Sequence, residues 1–213
     1  MNNHIYIISG LGADERVFQK LDFRGLTVTY INWIIPLQKE TIESYAKRLL
    51  SQIETLNPTL IGLSFGGLIA IEIAKQIETK KVILIASAKT RKEIPFYFRI
   101  AGQINIHKFI PTKVFKKSNF LTNWFFGVKS SFDKELLKVI LKDTNPIFMK
   151  WAIDKVVCWT NQTSLNNIIH IHGTADRIFP IEFVNFNFKV INGGHFMTLN
   201  KYEELSKLLL ENV

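Results

Sequence analysis

Two short, predominantly apolar runs, Thr59–Leu63 (TLIGL) and Lys81–Ala86 (KVILIA), bracket an apolar segment with helical spacing, Gly66–Ile77. A strand with no polar alternation needs cover on both faces, which parallel sheets obtain from their crossover helices. This strand–helix–strand unit predicts an α/β protein with a mostly parallel sheet and right-handed connections. Further strand-like runs at His4–Ser9, Leu26–Trp33, Asn167–His172 and Phe186–Ile191 bring the expected sheet to about six strands. Helical spacing is read over Thr41–Leu56, before the break at Pro58, and again over Leu199–Leu210 at the end of the chain.

Between these two blocks the character changes. Residues 88–165 lack clean strand runs, are rich in Phe, Trp and Lys, and show helical spacing over Phe132–Leu141 and Pro146–Val157. They read as a mostly helical insertion, so the expected organisation is a core of residues 1–87 and 166–213 with 88–165 inserted into it. The chain has 213 residues and a formal net charge of +9. Residues 89–155 hold 14 Lys/Arg against five acids, so the whole excess of positive charge lies in the insertion. A solvated lysine face is the expected reading, without a nucleic-acid partner. No apolar run approaches the length that spans a bilayer, so stable membrane insertion is not expected. The N-terminal apolar run carries no basic region before it and reads as a strand, so a cytoplasmic protein is expected. Cys158, the single cysteine, reads as a buried, inert thiol.

Four places at strand ends carry chemistry, where open α/β sheets keep their ligands. Gly62-Leu63-Ser64-Phe65-Gly66 lies between a strand and a helix and has the G-x-S-x-G form of a nucleophile elbow, which exposes the serine hydroxyl on a strained turn. Gly193-Gly194-His195 follows the last strand. A serine hydroxyl needs a positioned base, and His195 is the candidate. Asp176 follows the strand at 167–172 and is the candidate carboxylate to orient the imidazole, with Asp14 as its rival. The loop Ser9-Gly10-Leu11-Gly12 can aim backbone N–H groups at a developing oxyanion, and the N–H groups of Leu11 and Phe65 are the candidate donors. It lacks the lysine and Ser/Thr of a phosphate loop, and Glu15 stands where a dinucleotide fingerprint needs glycine. His170 and His172 share a strand face, but no neighbouring ligands complete a metal site, and a structural role is expected.

With GLSFGG, HGTADRIFP and GGHF in this order, the chain resembles the α/β-hydrolase superfamily over residues 4–87 and 166–211. The resemblance implies a sheet that lacks the superfamily's first two strands, with the second strand of this chain on one edge, then the first, then the rest in chain order. It also implies that residues 88–165 form a helical cap over the site. Ser9-Gly10 departs from the His-Gly with which many relatives open the oxyanion loop.

The expected activity is hydrolysis of a carboxylic ester through an acyl-enzyme, with no cofactor and no metal. The aromatic insertion argues for a small apolar or partly anionic ester. A thioesterase, a C–C bond hydrolase or a catalytically silent binding protein on the same scaffold are the alternatives.

Overall fold

The computed structural model describes residues 3–213. Six strands, β1 (His4–Ile8), β2 (Thr27–Ile31), β3 (Thr59–Leu63), β4 (Lys81–Ile85), β5 (Ile168–Gly173) and β6 (Phe188–Val190), form one sheet in the order β2-β1-β3-β4-β5-β6. All five pairings are parallel. β3, in the middle, is buried at every residue, as its unbroken apolar run requires.

Side chains alternate between two cores. On one face Ile5, Ile7, Ile61, Leu63, Ile83 and Ile85 pack with Phe18, Leu137, Leu205 and Leu209. On the other, Tyr6, Ile8, Leu60, Val82 and Leu84 pack with Tyr45, Leu49, Leu68 and Phe148. The helices behind these contacts are α1 (Ile42–Leu49) and α2 (Phe65–Ala74), then, between β4 and β5, α3 (Phe96–Gln103), α4 (Thr112–Phe115), α5 (Phe120–Phe126), α6 (Ser131–Asp143) and α7 (Pro146–Cys158). The chain closes with α8 (Met197–Asn200) and α9 (Tyr202–Asn212). Residues 88–165 thus contain five α-helices and no strand. Leu137 and Ile140 of α6 join one core, while Phe148 and Ala152 of α7 join the other.

Several boundaries differ from the sequence reading, each for a local reason. The helix expected to run to Leu56 ends at Leu49, followed by a 3-10 turn to Gln52. Beyond it the N–H groups of Glu54 and Thr55 donate to the buried Tyr6 hydroxyl at 3.0 and 3.1 Å, which draws the chain out of the helix before Pro58. The expected C-terminal helix is two helices, broken at Lys201, whose φ/ψ of −132/28° is not helical. Cys158 is half-buried rather than buried; it sits in the last turn of α7, with its thiol 3.7 Å from Gly102 O of α3.

Candidate active site

The turn from β3 to α2 leaves Ser64 at φ 53°, ψ −120°, a left-handed conformation that costs a non-glycine residue on the order of 1–3 kcal/mol. The surroundings hold it there. Ser64 N–H donates to Ile85 O at 2.9 Å, and the Ser87 hydroxyl donates to Ser64 O at 2.7 Å. Gly66 is required by close approach, since a Cβ there would lie 2.2 Å from Ile8 O and 2.3 Å from Ser9 O. Ser87 escaped the sequence reading, although its position after β4, beside the elbow, is the signal that finds it.

His195 comes from the loop between β6 and α8, and Asp176 from the loop after β5. His195 Nε2 lies 2.7 Å from Ser64 Oγ, and His195 Nδ1 lies 2.9 Å from Asp176 Oδ2. A carboxylate oxygen accepts, so Nδ1 carries the hydrogen and Nε2 turns its lone pair toward the serine hydroxyl. The other carboxylate oxygen of Asp176 accepts from the N–H groups of Ile178 (2.8 Å) and Phe179 (3.0 Å), which fixes the plane of the group. His195 and Asp176 are buried, while Ser64 stays partly exposed. The rings of Phe126 and Phe179 flank the imidazole at 5.7 and 5.9 Å.

The structure separates Asp14 from this group. Asp14 accepts from Arg16 N–H, caps the 3-10 turn Glu15–Phe18 and pairs with the Arg16 guanidinium at 2.7 Å. Burial alone would raise its carboxyl, but the hydrogen bonds and charge of Arg16 outweigh this and hold it below the usual range.

The loop Ser9–Gly12 lies against the elbow: a Cβ on Gly10 would sit 3.6 Å from Ser64 Cβ. Ser9 Oγ donates to Ala13 O at 2.5 Å and closes this loop. Trp33 Nε1 donates to the same carbonyl at 3.0 Å. Among the described residues, no turn or loop hydrogen bond uses the N–H of Leu11 or of Phe65, the first residue of α2. Two unused N–H groups beside a serine, one at a helix N-terminus, suit a developing oxyanion.

His170 and His172 are buried behind Asp176 and contact each other at 3.1 Å. His172 Nε2 lies 2.7 Å from Phe179 O and 3.7 Å from Asp176 Oδ2, and His170 Nδ1 lies 3.1 Å from Asn185 O. Each ring nitrogen of the pair is therefore engaged with protein, which is a structural arrangement. Among the described residues the group that could hold a metal is a different one, His107, Asp154 and Cys158. It joins α7 to the turn Ile106–Phe109, and Asp154 is already engaged by His107 at 2.8 Å and Lys155 at 3.1 Å. The sequence reading missed it because His107 and Asp154 are 47 residues apart.

No family model and no curated protein matches the sequence. Solved structures do. A thermophilic esterase from Thermogutta terrifontis aligns at TM-score 0.73 and 15% identity, over 98% of this chain and 88% of its own. A bromoperoxidase from Bacillus anthracis aligns at 0.69 and 18%, over 99% and 91%. A meta-cleavage product hydrolase from Pseudomonas fluorescens aligns at 0.66 and 16%, over 98% and 89%. The chain has the α/β-hydrolase fold, with the strand order that the sequence resemblance implies.

Proposed function

We propose that this α/β-hydrolase-fold chain is a serine hydrolase that cleaves a carboxylic ester through an acyl-enzyme. The observation that carries the reading is the chain of contacts from Ser64 Oγ to His195 Nε2 (2.7 Å) and from His195 Nδ1 to Asp176 Oδ2 (2.9 Å). Ser64 attacks the ester carbonyl as His195 takes its proton, and the N–H groups of Leu11 and Phe65 receive the oxyanion. His195 returns the proton to the leaving alcohol, then draws one from water, which attacks the acyl-enzyme and frees the acid and Ser64. Asp176 keeps the imidazole in the tautomer this cycle needs and stabilises its cation. The cycle calls on no cofactor or metal.

Residues 88–165 act as a cap over this site. Phe126, from α5, stands edge-on to the imidazole, and Phe148, from α7, packs at 6.2 Å against Phe65 beside the nucleophile. These rings favour a small apolar acyl or alcohol group, and the cap lysines suit a partly anionic one. The protein acts in the cytoplasm; among the described residues no helix is long and apolar enough to cross a membrane.

A panel of nitrophenyl esters of increasing acyl length tests the reading. The wild type hydrolyses short or medium chains with a burst of nitrophenol, and His195→Ala lowers kcat by about 10⁴-fold or more. A wild type that turns over none of these esters contradicts the proposal. The esterase from Thermogutta terrifontis supports ester cleavage by likeness of fold, while the meta-cleavage product hydrolase keeps C–C bond hydrolysis by the same three residues as the second reading.

A further inference from the structure

From Ile94 to Phe132 the chain carries six cationic residues, Arg99, Lys108, Lys113, Lys116, Lys117 and Lys129, and no Asp or Glu. Within it, residues 104–121 expose six large apolar side chains, Ile104, Ile106, Phe109, Val114, Phe120 and Leu121. Phe109 is 84% and Phe120 83% exposed, far beyond what partial burial in a cap needs. Large apolar side chains exposed together mark an interaction surface rather than chance.

The segment is anchored from behind. The turn Ile106–Phe109 and α4 both rest on α7. His107 Nε2 meets Asp154 Oδ1 of α7 at 2.8 Å, and Lys116 Nζ donates to Thr144 O at 2.8 Å. The six apolar side chains and those of Lys108, Lys113 and Lys117 are exposed on this braced scaffold, while Lys116 belongs to the brace.

We infer that this face of the insertion docks on an anionic lipid bilayer surface. Lysines beside exposed aromatic and aliphatic groups match such a surface: headgroups take the charges, and the acyl boundary takes the apolar groups. Phenylalanine at the rim of the acyl region adds affinity without insertion of a spanning helix. A second copy of the chain fits poorly, because the acid-free stretch would meet its own like charge. Single-stranded nucleic acid fits less well too, since Ile104, Ile106, Val114 and Leu121 offer no ring on which a base can stack.

The test is co-sedimentation of the full chain with phosphatidylcholine vesicles made with and without phosphatidylserine. The docking face does not depend on Ser64, so Ser64→Ala binds as the wild type does, and failure of the hydrolase reading leaves this result unchanged. The wild type binds vesicles that contain phosphatidylserine, weakly binds pure phosphatidylcholine, and is released by salt. Lys113→Glu with Lys117→Glu weakens binding by about fivefold or more for each lysine, and Phe109→Ser with Phe120→Ser also releases the protein. These four side chains are exposed and, among the described hydrogen bonds, hold no element in place, so the variants keep the circular dichroism and melting of the wild type. Equal sedimentation with both vesicle types, none with either, or variants that bind as the wild type does overturns the inference. Capture of a single-stranded RNA homopolymer, or self-association, that the same variants abolish while vesicles are ignored also overturns it and identifies the other occupant.

Discussion

Arg177 and Trp124 tie the loop of Asp176 to the helices between β4 and β5. The guanidinium stands 4.3 Å from the Trp124 ring centroid, and Arg177 Nη1 donates to Trp124 O at 2.7 Å. On the same helix end, Phe126 O accepts from Phe196 N–H at 3.1 Å, and Gly127 O accepts from Asn200 Nδ2 at 3.1 Å. α5 therefore spans the loops that carry Asp176 and His195. Arg177→Ala is expected to cost about 1 kcal/mol of stability, since the contact is partly exposed. It should also speed tryptic cleavage within residues 116–130, followed by mass spectrometry. An unchanged cleavage rate would show that α5 is held without Arg177.

The buried histidine pair predicts a pH dependence of stability. His170 and His172 make three contacts, to Asn185 O, to each other and to Phe179 O. Neutral imidazoles carry two N–H hydrogens between them, so one contact lacks its hydrogen until a further proton enters. Burial opposes that proton and pushes His170 well below the ordinary histidine range, helped by His172 and Lys89. Burial also lowers His172, against the pull of Asp176. The unfolded chain takes up protons below about pH 6.5 while the folded pair does not, so stability is whole above that value and falls as pH drops toward the lower folded pKa values. Urea unfolding across this range should show the decline, and His170→Gln should shrink it. A wild type that gains stability on acidification would contradict the neutral pair.

The elbow predicts an asymmetry between its glycines and glycines elsewhere. Gly66→Ala sets a Cβ against two carbonyl oxygens of the β1 end, backbone that cannot turn aside. Its cost is expected to be about 3 kcal/mol, with loss of activity. Gly25, which has positive φ but open space around it, should tolerate alanine at a smaller cost in backbone strain alone. Melting temperatures of the two variants check the ordering.

Much of this was legible in the sequence because its causes are local. TLIGL is a strand between proline and the elbow, and its bounds match the structure. The elbow glycines, and the positions of Asp176 and His195 after strands, follow from turn chemistry and topology, and the structure brings all three groups together. The stretch between β4 and β5 was harder to read. Phe96–Gln103, Thr112–Phe115 and Phe120–Phe126 are helices whose apolar residues largely face outward, so no inward stripe announced them. The bond of Trp33 to Ala13 O joins residues 20 positions apart, which no local pattern encodes, and that of Ser87 to Ser64 O, 23 apart, is legible only once β3 and β4 are paired.

Labelling with a fluorophosphonate reads out whether Ser64 is an activated nucleophile. The wild type at neutral pH is expected to take the label on Ser64, identified by peptide mass spectrometry, while Ser64→Ala takes none. A wild type that stays unlabelled, or a label that persists in Ser64→Ala, would contradict the role proposed for Ser64.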